Sequence, residues 1–526
     1  MNIYDKLQPL DFIVVGLYLA IVIGIGAWVS FRNRTAVGEN PFLAGNSLRW
    51  PGIGFTMWGT NVGPSMLIAS ASIGFTTGIV AGNFAWYAFI FIFLLAAVFA
   101  PRYLGAGTAT LPGYMGNRFG DTTRNILAWY TLITILVSWL SLTLFAGGIL
   151  IRQILGLPMW LSVMVLLAIA AFFTIAGGLK TIAYTNVFQM ILLIIVSLAL
   201  TLVGLDRAGG TAALATATPS GFWNLFLPAD NPDYPWPAII LGYPVMGVWF
   251  WCTDQSMVQS VLGAKSLKQG QLGANFTGWL KILDVPLFIL PGILCYVLFP
   301  DLDDPDKAYM TMVTELFPPG MQGLVMAVLI AALVSTVDSA LNALSTVFTM
   351  DIYVKKYKPE AGSAEIRRTG HLVTLAGAAI AVCITLAIDS IKGLNLFDVF
   401  QSVLGFIAPP MTTVFLFGVL WKRTTTKAVN SILTFGTLLS MGTGICYLWI
   451  FPADTYDFWP HFLLLSFYLF LLLSVLMVLI SLTDKSGSAE VSPEERKAAG
   501  MSGKVRWLWG ALAVVMIVLY VLFNGR

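Results

Sequence analysis

Residues 59–64 read Gly-Thr-Asn-Val-Gly-Pro (GTNVGP) and stand in the middle of an apolar run at about 53–73. Proline has no backbone N–H and glycine weakens a helix, so we expect the helix to be interrupted here. An interruption frees backbone carbonyl groups at membrane depth, where they are tolerated only if they line a cavity or are enclosed by protein. A kink without function is the alternative interpretation.

The composition around this stretch is that of a membrane protein. The chain has 526 residues, of which 58% are hydrophobic and 10% charged, whereas a soluble domain carries about 25% charged residues. Apolar runs near the spanning length of about 20 residues fall at about 11–30, 53–73, 79–100, 125–151, 159–177, 183–204, 237–260, 274–298, 320–350, 370–387, 396–421, 428–450, 461–482 and 506–523. The sequence therefore predicts an all-α polytopic membrane protein with about fourteen transmembrane helices, and it predicts non-membrane loops at 205–236 and 299–319.

The basic residues fix an expected orientation, because Lys and Arg collect in cytoplasmic loops. With an external N-terminus, most of the 29 Lys and Arg residues fall on the cytoplasmic side and only Lys281 lies within a span. We therefore predict a multi-pass protein of the plasma membrane with its N-terminus outside. The net charge of +3 follows from these loops and predicts no nucleic-acid partner.

A second span, residues 242–255 (GYPVMGVWFWCTDQ), carries Gly242, Pro244 and Gly247 before a polar end, and we expect it to be interrupted as well. The two interrupted spans are the second and the seventh. A separation of five spans predicts two inverted repeats of five helices, with the binding site between the interrupted first helices. The predicted organisation is an N-terminal helix and cytoplasmic loop (1–52), a first repeat (53–204), an external loop (205–236), a second repeat (237–421), and three C-terminal helices (422–526) with a cytoplasmic linker near 483–505.

Residues 327–353 (AVLIAALVSTVDSALNALSTVFTMDIY) place polar side chains in another apolar span. At about 100° per residue, one face holds Ala332, Ser335, Thr336 and Ser339, and an adjoining stripe holds Ser335, Asp338, Asn342 and Ser345. Such an oxygen-rich surface suits a hard cation. A carboxylate at this depth costs about 2.5–3.5 kcal/mol on insertion scales, so Asp338 is a functional-site hypothesis. The alternative is a polar residue that bonds to a neighbouring helix.

The sequence gives no sign of an enzyme. Cys252, Cys295, Cys383 and Cys446 lie in spans without CxxC spacing, which argues against a disulfide framework or a zinc site. The two histidines stand at opposite membrane faces and form no nucleophile constellation.

Five motifs carry a family resemblance: GGLKTIAYTNVFQ (177–189), WFWCTDQSMVQSVLGAKS (249–266), LPGI (290–293), SALNALSTVFTMDIY (339–353) and LFGVLWKRTTTKA (416–428). In order and spacing, from about residue 11 to 450, the chain resembles the sodium/solute symporter family, particularly a bacterial-type member of its sodium–glucose branch. The resemblance implies the leucine-transporter-like fold with 5+5 inverted repeats, alternating access, solute uptake driven by sodium, and, for a bacterial member, the inner membrane.

The resemblance also implies ion sites. The family's main sodium site corresponds here to oxygens of Gly59, Val62, Ala332, Ser335 and Thr336, and the helical face described above contains the last three. A second sodium site in some members uses an Asp at the position of Asn186. We therefore interpret Asp338, with Ser339 and Asn186, as a second cation or coupling site whose carboxylate has moved to a neighbouring helix.

The expected solute site departs from the sugar-transporting pattern. Residues that resemble sugar contacts stand at Asn61, Trp251, Lys281 and Gln401, whereas Met66, Ala85, Ala88 and Gly247 replace polar ones. Phe250 replaces a gating Tyr, and Phe397 resembles the outer hydrophobic gate. Because sugar hydroxyls would lose partners on burial, the pocket is expected to take a less hydroxylated sugar or one in another orientation.

Lys281 leaves two interpretations open. It can pair with Asp284 three residues later on the same helix, or it can face an acidic sugar such as a uronate. The function predicted overall is sodium-coupled import of a sugar or sugar-like solute. The alternatives are a sodium symporter for an organic acid, amino acid or vitamin, and a sodium channel or non-transporting solute sensor.

Overall fold

The structure is a computed structural model that describes residues 7–32, 41–390, 396–453, 455–484 and 500–524, and in these ranges it is almost entirely helical. In chain order the α-helices are α1 Pro9–Arg32, α2 Trp50–Asn61, α3 Pro64–Thr77, α4 Gly82–Trp86, α5 Ala88–Leu94, α6 Ala100–Gly105, α7 Leu111–Phe119, α8 Asp121–Thr134, α9 Thr143–Leu155, α10 Met159–Arg207, α11 Gly210–Ala217 and α12 Tyr243–Val248. They continue with α13 Gln255–Leu262, α14 Leu267–Ile282, α15 Leu290–Leu298, α16 Ala308–Leu316, α17 Met321–Val347, α18 Ser363–Asp389, α19 Leu396–Leu420, α20 Thr426–Ser431, α21 Thr437–Ile445, α22 Phe462–Thr483 and α23 Gly503–Leu522.

Wider π-helical turns join or extend several of these helices, so that one span can contain two or three of them. These turns are Leu95–Phe99, Ile135–Leu142, Ala238–Gly242, Trp249–Thr253, Val285–Ile289, Phe348–Tyr357, Ile432–Gly436 and Cys446–Ile450. Eleven continuous helical stretches within the described ranges are long and apolar enough to cross a membrane, and two shorter ones are also apolar. All fourteen predicted runs lie on helical segments, so the all-α prediction is confirmed.

The fifth and sixth predicted spans form one long helix, α10, with a sharp break inside it. At about 1.5 Å per residue its 49 residues are far longer than the roughly 30 Å of a bilayer core. Gly178 has φ 54° and ψ −152°, a conformation that only glycine adopts without strain. Gly178 therefore marks the turn between two crossings.

The second span is interrupted where predicted. α2 ends at Asn61 and α3 begins at Pro64, while Val62 (φ −84°, ψ 72°) and Gly63 (φ −83°, ψ 160°) leave the helical conformation between them. Pro64 suits the first position of a helix, because that position needs no N–H donor. The first half of the span is therefore α2 and the second half is α3.

The seventh span is interrupted too, but at a different residue from those predicted. The helix continues past Gly242, Pro244 and Gly247 and ends at Asp254 (φ −85°, ψ 127°). A Cβ on Gly242 would collide with the backbone of Leu463, and one on Gly247 would collide with Phe91. These glycines permit close packing, and the interruption itself depends on Asp254, which caps α13.

Both predicted loops contain a short helix. Residues 205–236 include α11, and residues 299–319 include α16. α17 forms the centre of the bundle and is buried along almost its whole length. Its start is tied to α1 by Asp11, whose Oδ1 accepts hydrogen bonds of 2.7 Å from both Gly320 N and Gly323 N.

Close packing of backbone on backbone joins α3 to the span that contains α15. A Cβ on Gly292, in the LPGI motif, would collide with the carbonyl oxygen of Ala71, and one on Gly74 would collide with the carbonyl oxygen of Ile289. Glycine at such crossings lets two helices approach closely and gain van der Waals contact. This crossing fixes α3, and with it one wall of the site described below.

We predict that Gly292→Ala destabilises the protein by about 1–3 kcal/mol, because the added methyl group forces two backbones apart. The measurement is the thermal melting temperature of the purified protein in detergent. The matched control is Gly24→Ala in α1, where a Cβ meets nothing within 4 Å. Equal melting temperatures for both variants would contradict the proposed role of the crossing.

Candidate functional site

The interruption between α2 and α3 leaves two consecutive carbonyl groups without their helical partners. In a continuous helix Gly59 O would accept from Gly63 N, but Gly63 N donates to Asn61 O at 3.0 Å. Thr60 O would accept from residue 64, which is proline and has no N–H. The chain therefore presents the carbonyl oxygens of Gly59 and Thr60 to whatever packs beside them.

α17 packs beside them with its hydroxyl face. Thr336 Oγ1 lies 3.3 Å from Thr60 O and 3.2 Å from Ala332 O and can donate to either. Ser335 Oγ is fully buried and has no hydrogen-bond partner among the described residues. A Cβ on Gly59 would lie only 3.1 Å from Ser335 Oγ, so the absence of a side chain at residue 59 brings the two helices together.

Of the five residues predicted for the main ion site, four meet in this way: Gly59, Ala332, Ser335 and Thr336. The fifth, Val62, lies in the interruption itself and is fully buried. Thr60 belongs to the same cluster and was missed by the sequence analysis. Its position between Gly59 and Asn61 in GTNVGP could have indicated it.

A second polar layer lies one turn further along α17. Thr60 Oγ1 donates to Ser339 Oγ at 2.9 Å, and Ser339 Oγ lies 3.5 Å from Asp338 Oδ1. Asp338 Oδ2 is buried and has no hydrogen-bond partner among the described residues. Thr174 Oγ1, from the first half of α10, lies 3.3 Å from the backbone oxygen of Asp338.

Asn186 is fully buried in the second half of α10. Met190, one turn after Asn186, would lie 3.1 Å from a Cβ on Gly59, as Ser335 does. Gly204 lies close to Met312, shortly before α17 begins, so this half of α10 runs antiparallel to α17. Asn186 therefore lies near the level of Ser339, one turn beyond Ser335. Both of its amide atoms are buried without a partner in the described part of the chain.

A cavity lies on the other side of the interruption, toward the membrane face where α1 begins. Its volume is about 130 Å³, which is room for several water molecules. Its lining is Thr60, Asn61, Gly63, Met66, Ala69, Ser70, Ile73, Ala81, Phe84, Trp139, Thr143, Tyr243, Met246, Trp249, Phe250, Trp251, Thr336 and Leu404. Thr60 and Thr336 belong to both the cavity and the ion-site cluster, so the two are contiguous.

The structure brings four of the predicted solute contacts to this cavity: Asn61, Met66, Phe250 and Trp251. Ala85 is not among the described residues that line it. Its neighbour Phe84 forms the wall instead, packed edge-on against Tyr243 with ring centroids 5.1 Å apart. One residue along a helix turns the side chain by about 100°, so Ala85 is directed into the protein.

The predictions for Phe397 and Gln401 lie outside the described residues as far as side chains are concerned. Phe250 packs against Trp139 with ring centroids 5.3 Å apart. Trp139 Nε1 in turn donates to Asp254 Oδ2 at 2.9 Å. The interrupted seventh span thereby holds the aromatic wall in place, a role of Trp139 that no motif in the sequence indicated.

Lys281 is fully buried and pairs with Asp284, as one of the two interpretations predicted. Its Nζ also donates to Asn61 Oδ1 at 2.8 Å and lies 5.8 Å from the ring centroid of Trp251. Asp284 Oδ1 accepts from Trp58 Nε1 at 2.8 Å. Lys281 therefore contacts two residues of the cavity wall without itself lining the cavity.

The fold and the site define a secondary transporter: a polytopic helical protein in which an oxygen-lined cluster and a solute-sized cavity meet at two interrupted helices. The comparisons with known proteins agree. The family model described as "Sodium:solute symporter family" matches residues 42–434. The chain belongs to the sodium:solute symporter family.

Its relatives include sodium cotransporters from animals. The chain is 34% identical over 471 residues to sodium/glucose cotransporter 4 of Danio rerio, covering 83% of this chain and 71% of that protein. It is 31% identical over 538 residues to sodium/glucose cotransporter 1 of Ovis aries, covering 92% and 80%. It is 32% identical over 470 residues to sodium/myo-inositol cotransporter 2 of Sus scrofa, covering 83% and 70%.

Solved structures establish the fold. A Na⁺-coupled sialic acid symporter in a substrate-bound outward-open state superposes with a TM-score of 0.78 at 17% identity, covering 92% of this chain and all of that one. The nucleobase-cation-symport-1 transporter Mhp1 in a closed conformation gives 0.51 at 15% identity, covering 88% and 96%. The predicted leucine-transporter-like fold is confirmed.

Proposed function

We propose that this protein is a sodium-coupled secondary symporter that imports a sugar or sugar-like solute by alternating access. The observation that carries the proposal is the shared wall of two spaces: Thr60 and Thr336 belong both to the oxygen cluster and to the cavity. The relatives named for sodium/glucose and sodium/myo-inositol cotransport support it.

The main sodium site in this proposal consists of the carbonyl oxygens of Gly59, Val62 and Ala332 and the hydroxyls of Ser335 and Thr336. All five residues are almost fully buried, and oxygen atoms are the ligands that hard cations prefer. A cation held between α2 and α17 stabilises the arrangement that forms the cavity floor. The bound cation therefore raises the affinity for a solute that stabilises the same arrangement. By linkage, the solute raises the affinity for the cation by the same factor.

The second cation site in this proposal uses Asp338, Ser339 and Asn186. A buried carboxylate with an unpartnered oxygen is costly unless a positive charge compensates it. No Lys or Arg forms a salt bridge with Asp338 among the described residues. A sodium ion in contact with Asp338 Oδ2 supplies the missing charge, with Ser339 Oγ and the Asn186 amide oxygen as neutral ligands.

The direction of transport follows from the proposed orientation. We place the N-terminus outside a plasma membrane, which for a bacterial protein is the inner membrane, on the distribution of Lys and Arg between the loops. The cavity then lies in the external half of the bundle, between the two proposed repeats, 53–204 and 237–421. In the chain, the helix of 1–52 precedes the first repeat and the three helices of 422–526 follow the second. Phe250 forms part of its wall, and we assign Phe250 and Phe397 to the gate and Gln401 to the solute site.

The apolar share of the cavity wall supports a solute with fewer hydroxyl groups than glucose. Met66, Ala69, Ile73, Met246 and Leu404 line it, and none of them can pair with a buried hydroxyl group. A sugar that presents an apolar face to the aromatic wall suits this surface. The same observation leaves a sodium symporter for an organic acid or amino acid as the second candidate.

The experiment that tests the function is solute uptake into liposomes that contain the purified full-length protein. The panel comprises neutral sugars, polyols, uronates and amino acids, each with an inward sodium gradient and with sodium replaced by potassium or choline. We expect concentrative uptake of a neutral sugar or polyol only with sodium. Uptake that is indifferent to the cation would refute sodium coupling, and uptake of amino acids alone would favour the second candidate.

Ser335→Ala tests the main sodium site. Loss of one ligand to a charged group costs about 1.5–3 kcal/mol, so we expect the sodium concentration for half-maximal uptake to rise roughly ten- to hundredfold. The matched control is Ser440→Ala in the C-terminal helices. It removes a buried hydroxyl group that donates to the backbone oxygen of Phe406 in α19. If Ser335→Ala behaves like the control, Ser335 is not a ligand.

Asp338→Asn tests the second site. We expect the variant to couple one sodium fewer to each solute, because the neutral amide no longer compensates a cation. The measurement is the reversal potential of solute-coupled current in proteoliposomes. Asp11→Asn is the control, since Asp11 is an equally buried carboxylate whose hydrogen-bond partners in the described part of the chain are backbone N–H groups at the start of α1 and α17. Unchanged stoichiometry and sodium affinity in Asp338→Asn would remove Asp338 from the coupling site.

A further inference from the structure

A buried ion pair lies directly behind the wall of the cavity. Lys281 and Asp284 are both almost fully buried, and their side chains are in contact. An ammonium group has three protons to donate. Those of Lys281 serve Asp284 and Asn61 Oδ1, and the group faces the ring of Trp251. The ammonium group therefore finds its partners within the protein.

The carboxylate is satisfied in the same way. Asp284 Oδ2 contacts Lys281 Nζ, and Asp284 Oδ1 accepts from Trp58 Nε1 at 2.8 Å. Of the eighteen described residues that line the cavity, none is Asp, Glu, Lys, Arg or His. The solute site therefore has no net charge of its own, although a charged pair lies one layer behind it.

The pair also sets the direction of Asn61. Because an ammonium group can only donate, the atom of Asn61 that accepts the hydrogen bond from Lys281 is Oδ1. The NH₂ group of Asn61 is then the end that remains for the cavity. The wall thus offers neutral hydrogen-bond donors to the solute, where an unpaired lysine would offer a charge.

We propose that Asp284 determines the charge selectivity of transport: by neutralising Lys281 it makes the cavity accept uncharged solutes and reject both anionic and cationic analogues. This inference rests on the proposed function, in that it takes the cavity as the solute site. Asp284 does not line the cavity and acts through Lys281 and Asn61, so it is a positioning residue. A solute carboxylate would enter a cavity that none of the described charged residues lines, while the ammonium group of Lys281 behind the wall is already paired, so the carboxylate would remain without a counter-charge.

Removal of either charge of the pair is expected to admit solutes that carry a charge of the same sign as the one removed. Asp284→Asn leaves the ammonium group of Lys281 without its anion, directly behind Asn61 and Trp251. A uronate then supplies the missing charge. Lys281→Gln leaves the carboxylate of Asp284 without its cation, and an amino sugar supplies that. The double variant Lys281→Gln/Asp284→Asn restores an uncharged wall and accepts neither.

The experiment measures binding to purified full-length protein in detergent, by the quenching of intrinsic tryptophan fluorescence and by thermal shift, in sodium chloride and in choline chloride. The probes are glucose, myo-inositol, glucuronate and glucosamine. We expect Asp284→Asn to bind glucuronate at least about tenfold more tightly than the unmodified protein does, which corresponds to about 1.4 kcal/mol. We expect the same gain for glucosamine in Lys281→Gln, and neither gain in the double variant.

A merely structural role for the pair predicts a lower melting temperature in both single variants with no change in charge preference. That result, or glucuronate binding by the unmodified protein as tight as that of glucose, overturns the inference. Failure of the proposed function looks different, because selectivity then follows the charges while sodium has no effect on binding or uptake. If Asp284→Asn does not fold, the reciprocal gain for glucosamine in Lys281→Gln decides the question, and its absence overturns the proposal.

Discussion

The structure depends on two backbone carbonyl groups that have no helical partner at membrane depth. An unsatisfied backbone group in a bilayer costs several kcal/mol, so the chain that exposes Gly59 O and Thr60 O must enclose them. α17 does so with a face of small and hydroxyl-bearing residues, and it is buried along almost its whole length as a result. Helix crossings such as that of Gly74 and Gly292 then hold α3 against the rest of the bundle.

The two interrupted spans reach a similar shape by different chemistry. The first uses proline and glycine, which remove a donor and loosen the backbone. The second uses Asp254, whose one oxygen caps α13 through Met257 N at 3.1 Å and whose other oxygen accepts from Trp139. Because one carboxylate performs both tasks, the break in the seventh span and the aromatic wall of the cavity are mechanically one unit. Movement of this span therefore carries Trp139 and Phe250 with it.

The parts of the fold that the sequence predicts well are those with a strong periodic or compositional signal. The helical character of the apolar runs, the break at GTNVGP and the hydroxyl face of α17 all follow from local residue types. The sequence analysis did not identify Asp254 as the point of interruption, because a sequence does not distinguish an Asp that caps a helix from one with a functional role. The role of Gly242 and Gly247 was predicted wrongly, because glycine occurs both at helix interruptions and where helices pack closely. The residue packed against the glycine distinguishes the two roles, and the sequence does not show it. The direction of the Ala85 side chain depends on how the short helix α4 is rotated about its axis. Five residues are too few for a repeating apolar pattern to predict that rotation.

The distribution of charge along the proposed path links the two halves of the mechanism. Asp338 keeps one oxygen without a protein partner, whereas Asp284 is fully paired within the protein. An unpaired carboxylate in a low-dielectric interior attracts a cation, whereas one paired with an ammonium group presents no net charge to either an anion or a cation. In the proposed mechanism, Asp338 binds an ion and Asp284 keeps the solute site neutral. Thr60 links the two places, because it lines the cavity and donates to Ser339 Oγ beside Asp338.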